Sequence, residues 1–226
     1  MRGAAKRAPR QGLFITLEGP EGSGKTTQIR HLAAALRRSG YHVAVTREPG
    51  GTSIAEQIRS TLLQSSPRER VTPEAEALLI LAARSQHVAH LIAPALEQGT
   101  IVLCDRFSDS TFAYQGYARK LPLQWLKSAN RIATRGCTPD LTILFDIPVE
   151  VGLARRRNVT ETQNRLDRES DGFHLRVRKG FLALAARSRG RIKTIDAHRP
   201  ENVVRAELVS FVLGWVTRRM GKRRRR

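Results

Sequence analysis

Cysteine is nearly absent from these 226 residues: only Cys104 and Cys137 occur. Two thiols exclude a disulfide framework and fit a reducing compartment. The six histidines show no metal-ligand spacing, and no zinc pattern is present. No Ser-His-Asp or Cys-His arrangement stands out, and no internal repeat occurs. No apolar run has the length needed to cross a bilayer, so no membrane partner is expected. The N-terminal MRGAAKRAPRQG has basic residues but lacks the apolar region of a secretory signal, and it is short for an organelle transit peptide. A cytoplasmic protein is the expectation. Acid is scarce too: 20 Asp and Glu face 40 Lys and Arg, a formal charge of +20. The excess gathers at the ends, in Arg2, Lys6, Arg7 and Arg10, and in Arg218, Arg219, Lys222, Arg223, Arg224, Arg225 and Arg226. Residues 1–12 and 217–226 therefore read as basic, solvated, disordered tails, with weak attraction to polyanions such as nucleic acid as their one functional reading.

Between the tails, residues 13–216 suffice for one α/β domain, and a hydrophobic content of 40% supports a core. The chain is organised around Gly19-Pro20-Glu21-Gly22-Ser23-Gly24-Lys25-Thr26-Thr27. This stretch fits the phosphate-binding pattern G-x-x-x-x-G-K-[ST]. An apolar run of strand length, Leu13 to Leu17, precedes it, and a helical period through Ile29, Leu32, Ala33 and Leu36 follows, closed by Gly40. Strand, glycine loop and helix together let backbone N–H groups and a helix N-terminus meet a polyphosphate. In that setting Lys25 reaches the outer phosphates and Thr26 is a candidate ligand for Mg²⁺.

Further strands are expected at Tyr41 to Thr46, Ile101 to Cys104, Leu141 to Ile147 and Arg191 to Asp196. Helices are expected from Ser53 to Leu63 and from Thr72 to Gln98, the latter opening on a Thr-Pro cap and bent by Pro94. Strands interleaved with helices imply a three-layer P-loop NTPase fold: a five-stranded parallel sheet, helices on both faces and a small lid loop. Ligands of such sheets bind beyond the carboxyl ends of the strands. The loop at Gly19, the turn from Arg47 to Gly51, the segment from Asp105 to Gln115 and the loop after Asp196 should then surround one crevice. Asp105, closing an apolar strand, is a second candidate Mg²⁺ group. The arginine-rich stretch near 155–168 reads as a lid that brings guanidinium groups to the transferred charge.

These blocks resemble bacterial thymidylate kinases from Leu13 to about Val216. Beyond EGPEGSGKTT, the resemblance rests on TREPGGT (Thr46 to Thr52), AAR (Ala82 to Arg84), PALEQG (Pro94 to Gly99), DRFSDSTFAYQG (Asp105 to Gly116), PDLTILFDIP (Pro139 to Pro148) and NRLDRE (Asn164 to Glu169). It implies an ATP-dependent, Mg²⁺-requiring kinase that converts dTMP to dTDP, and a homodimer. Residues 19–27 would hold ATP. Arg59 and Arg106 would hold the acceptor phosphate, and Arg84 and Gln115 the base, with Thr111 nearby. Tyr114 would pack under the deoxyribose and Glu21 would reach the acceptor side. Glu48 and Pro49 belong to the acceptor site and mark a place where the family can use a cis bond. Lys25 and Arg106 are the catalytic candidates, joined by a lid arginine among Arg155, Arg156, Arg157 and Arg165, of which Arg156 and Arg165 are preferred. Ile80 departs from the family pattern, which usually has a phenylalanine there to stack on thymine. The departure leaves a kinase for another nucleoside monophosphate as an alternative, and the charge leaves a basic P-loop protein that binds nucleic acid as another.

Overall fold

The structure, a computed structural model, describes residues 12–64, 69–157, 165–188 and 190–224. The N-terminal tail up to residue 11, half of the expected lid loop (158–164) and the last two arginines lie outside the described residues. Five strands form one parallel sheet: β1 (Phe14–Glu18), β2 (Val43–Arg47), β3 (Ile101–Asp105), β4 (Leu141–Asp146) and β5 (Ile192–Asp196), in the order β2-β3-β1-β4-β5. The first strand thus sits in the middle, with both neighbours in parallel register, Ile15 opposite Leu103 and Leu141.

The strands are apolar on both sides because each side is covered, and alternate residues go to alternate layers. Leu13, Ile15, Leu17, Ile101, Leu103, Leu141, Ile143 and Phe145 join one core with α1 (Lys25–Arg38) and α9 (Glu201–Arg224). On the other face Phe14, Val102 and Cys104 pack on Val88, Ile92 and Leu96, while Leu144 meets Ala113, Tyr114, Phe173, Val177 and Phe181. α2 (Ser53–Leu63) is capped by Thr52, whose hydroxyl accepts from the Ala55 N–H. α3 (Pro73–His87) is capped likewise by Thr72, with Pro73 at its first position.

The long helix expected up to Gln98 is divided. A π-helical turn over Val88–Ile92 separates α3 from the short α4 (Ala93–Glu97) that holds Pro94. Proline has no N–H for the regular ladder, and a widened turn ahead of it absorbs the lost bond. A second π-helical stretch, Phe112–Ala118, follows α5 (Ser108–Thr111), and π-turns of this kind gather at functional sites. α6 (Leu123–Thr134), α7 (Val149–Arg157) and α8 (Asp171–Ala186) complete the elements.

Both tail boundaries shift. Gly12 is buried and its N–H donates to the Leu96 carbonyl at 2.8 Å, so it belongs to the fold. At the other end, α9 continues through Arg224, so 217–224 form its final turns rather than a separate tail. Lysine and arginine are good helix formers, and their charge favours a helix C-terminus. Among the described residues no helix is long and apolar enough to cross a membrane, and neither Cys104 nor Cys137 is in a disulfide.

Candidate active site

Three parallel neighbours, β2, β3 and β1, end at one rim, and their following loops enclose a cleft of about 1080 Å³. That exceeds the usual ~300–1,000 Å³ of a single-ligand pocket and suits two nucleotides. On its floor, α1 begins at Lys25 directly after Gly24, whose φ of 83° is left-handed. The loop is pressed against α7: a Cβ on Gly22 would lie 1.9 Å from the Gly152 carbonyl oxygen, so neither side can carry more. Lys25 Nζ donates to the Gly19 and Pro20 carbonyls at 3.0 and 2.7 Å and to Ser23 Oγ at 3.0 Å. Burial, then the charge of Arg106, brings its pKa down to about 8. Arg59 is depressed by burial and by Arg47 and Arg106, while its Nη1 donates to the Pro49 carbonyl at 2.9 Å. Burial and the neighbouring charge of Arg106 thus disfavour the charged forms of Lys25 and Arg59, whereas acidic neighbours hold Arg106 charged, and a cleft lined by such cations suits an anion.

Arg106 ties the halves of the cleft together. Its backbone has φ 72°, which costs a non-glycine residue roughly 1–2 kcal/mol. That conformation turns the guanidinium onto the Gly19 carbonyl and Glu21 Oε1, both at 3.0 Å, and onto the Tyr114 hydroxyl at 3.2 Å. Tyr114 also donates a short hydrogen bond to Glu21 Oε2. Burial alone would raise the Glu21 carboxyl, but Arg106 and Lys25 outweigh it and hold it below the ordinary range. Glu21 thus stays ionised inside a phosphate loop, an anion placed to fix the Arg106 fork rather than to meet phosphate.

The far end is apolar and hydrogen-bonded. Ile80, Arg84, Thr111, Tyr114 and Gln115 line it. Arg84 is 1% exposed, and its Nε donates to Glu48 Oε2 at 2.7 Å. Its Nη1 donates to Thr111 Oγ1 and Asn130 Oδ1, both at 2.9 Å. Glu48 bridges to His87 Nδ1 at 3.0 Å, and the Glu48–Pro49 bond is cis.

For a divalent ion, Thr26 Oγ1 donates to Asp105 Oδ2 at 2.7 Å beside the phosphate loop. Among the described residues no group of three or more His, Cys, Asp or Glu gathers. A hydroxyl and one carboxylate nonetheless suit Mg²⁺, which keeps several waters and takes phosphate oxygens rather than an all-protein cage.

Two expectations from the sequence come out differently in place. The loop after Asp196 does not line this cleft. Ala197 and Arg199 line a second cavity of about 300 Å³ behind the phosphate loop, with Gly22, Gly24, Thr27, Gln28 and Arg155. β5 is the edge strand beyond β4, one position too far to reach the crevice between β3 and β1. The lid arginines also part company. Arg156 lines the cleft and pairs with Asp167 at 3.1 Å, and Arg155 donates to the Ala197 carbonyl. Arg165 is turned to Glu76 and the Leu62 carbonyl and is not among the cleft-lining residues.

Sequence reasoning missed Glu18, Glu76, His87 and Asn130. Glu18 is fully buried at the end of β1, accepting from the Phe107 N–H at 2.8 Å and from Ser110 Oγ at 2.6 Å. Burial, then the charge of Asp109, raises its pKa to about 8. A helical spacing could have found two of them: 76, 80, 84 and 87 fall on one face of α3.

The family model described as thymidylate kinase matches residues 17–208. A thymidylate kinase of Thermomicrobium roseum is 57% identical over 191 residues, 84% of this chain and 90% of that protein. One from Geobacter sulfurreducens is 48% identical over 213 residues, 92% of this chain and 100% of its own length. One from Pseudomonas putida is 46% identical over 213 residues, 93% and 99% of the two chains.

Proposed function

The chain belongs to the thymidylate kinase family, and from that premise we propose how this cleft carries an ATP-dependent conversion of dTMP to dTDP. The single observation behind the reading is Arg106, which touches the phosphate loop at Gly19 and Glu21 and the far half of the cleft at Tyr114. A cation so placed stands where a phosphoryl group passes between two nucleotides.

The attacking oxygen of dTMP belongs to a phosphate already largely ionised at neutral pH, so no general base is needed. Catalysis then rests on positioning and on charge neutralisation. Residues 19–27 bind the ATP phosphates, with Lys25 moving from its carbonyl partners to the transferred group. Thr26 and Asp105 would hold Mg²⁺, which would supply neutralisation of phosphate charge. Arg59 and Arg106 receive the acceptor phosphate. Glu21 and Tyr114 hold Arg106 in place, and Tyr114 packs under the sugar. Arg84, itself fixed by Glu48 and Thr111, meets the base together with Gln115 over the side chain of Ile80. Arg156 is the lid guanidinium nearest this work, since it alone of the four candidates lines the cleft.

A homodimer and a cytoplasmic location complete the proposal. α3 and α6 pack on each other, and each leaves a large apolar side chain outside, Leu78 at 56% and Ile132 at 78% exposure. Sedimentation at micromolar concentration should give a dimer. The basic ends would add only salt-sensitive attraction to polyanions. The deciding assay is ADP release with Mg·ATP across the common nucleoside monophosphates. Turnover should be highest with dTMP, and a preference for dUMP, dCMP or dGMP would overturn the reading.

A further inference from the structure

Glu76 does not line the cleft, yet its side chain is 1% exposed and collects more polar partners than any sequence motif announces. Gln115 Nε2 donates to its Oε1 at 2.6 Å. Arg119 reaches both its oxygens, at 3.3 and 3.2 Å, and Arg165 Nη2 donates to Oε2. Burial alone would raise the Glu76 carboxyl, but Arg119, Gln115 and Arg165 outweigh it and keep it ionised. An ionised carboxylate only accepts hydrogen bonds. Its neighbours must therefore all present N–H groups, and turning the Gln115 amide over would set two oxygens against each other.

We infer that Glu76 is a positioning residue for base selection: it holds the Gln115 amide so that NH₂ points inward and the carbonyl oxygen is offered to the cleft. This rests on the thymidylate reading above. Gln115 lines the cleft beside Arg84, whose guanidinium can only donate. A donor next to an acceptor matches the O4 and N3–H of thymine. Cytosine offers the reverse, an amino group and an unprotonated N3, and would meet a mismatch at both places. With the amide turned over, the site would show two donors and lose its grip on N3–H. Base discrimination would then depend on a carboxylate that never touches the base.

The test is the ratio of kcat/KM for dTMP to that for dCMP. Glu76→Gln replaces an obligate acceptor by an amide that can accept or donate, so either orientation of Gln115 finds a partner. The ratio should fall by about tenfold or more, on the scale of an ill-matched buried hydrogen bond. In a Gln115→Leu background, adding Glu76→Gln should lower the ratio no further, which a merely structural role would not produce. Should Glu76→Gln melt too low to assay, Glu76→Asp decides: it keeps an acceptor-only group, so KM for dTMP should rise while the ratio stays within about threefold of wild type. An unchanged ratio in Glu76→Gln, a further loss in the double variant, or a collapsed ratio in Glu76→Asp would each overturn the inference. A wild-type enzyme that does not prefer dTMP would instead overturn the functional reading beneath it.

Discussion

Lys25 should take up a proton when nucleotide binds, and the size of the effect follows from its surroundings. Its ammonium is buried and stands near Arg106, and burial first, then that charge, lowers its pKa from 10.5 to about 8. At pH 8 about half of the lysines are then neutral, and at pH 9 about nine-tenths. A triphosphate supplies the negative charge that Arg106 denies it, so the bound form holds the proton across this range. Binding of Mg·ATP at pH 8 should draw about 0.5 proton from the buffer, and apparent affinity should fall about tenfold, or about 1.4 kcal/mol, between pH 7 and pH 9. Calorimetry in two buffers of unequal ionisation enthalpy reads the uptake directly. Lys25→Arg, whose guanidinium cannot lose its proton, should bind with no buffer dependence. The unliganded protein should show the matching trend. Between about pH 8 and 10.5 the native state holds fewer protons than the unfolded one, so this group's contribution to stability rises with pH across that window. Equal heats in both buffers at pH 8, with affinity flat from pH 7 to 9, would refute the reasoning.

Arg106→Ala should lower kcat by roughly a hundredfold or more, since it removes a preorganised cation from the path of the phosphoryl group; a near-normal rate in a folded variant would dismiss its role. Ile80→Phe should lower KM for dTMP several-fold and leave kcat nearly unchanged, because an aromatic face on the base adds binding on the order of 1 kcal/mol shared by ground and transition states. Glu18→Gln should change the pH profile of stability: the wild-type carboxyl, raised from 4.5 to about 8, holds more protons folded than unfolded in that window, so wild-type stability should fall relative to the variant from pH 5 to pH 8. Thermal melts that run parallel over that range would count against the buried charge.

Residues that must be near one another along the chain were legible in the sequence, and residues brought together by folding were not. The phosphate loop is a local device: three glycines, a lysine and two threonines within nine positions dictate the turn, and the helix of α2 was placed to its end residues, Ser53 and Leu63, after the Pro49-Gly50-Gly51 breaker. The parallel sheet followed from apolar runs too continuous for a half-exposed strand. The pairing of Thr26 with Asp105 could be anticipated because the phosphate loop that follows β1 and the end of β3 lie at the one sheet edge where ligands bind. No such rule covers Glu76, a first-turn acid that on the chain alone reads as favouring the helix dipole. Only packing shows that Gln115 and Arg119 from one segment and Arg165 from another converge on it. Glu18 likewise looks like one more residue of the phosphate-loop motif until β3 and α5 close over it. The tertiary structure decided these cases because burial and opposing charges are properties of neighbours, and for these side chains every deciding neighbour lies tens of residues away in sequence.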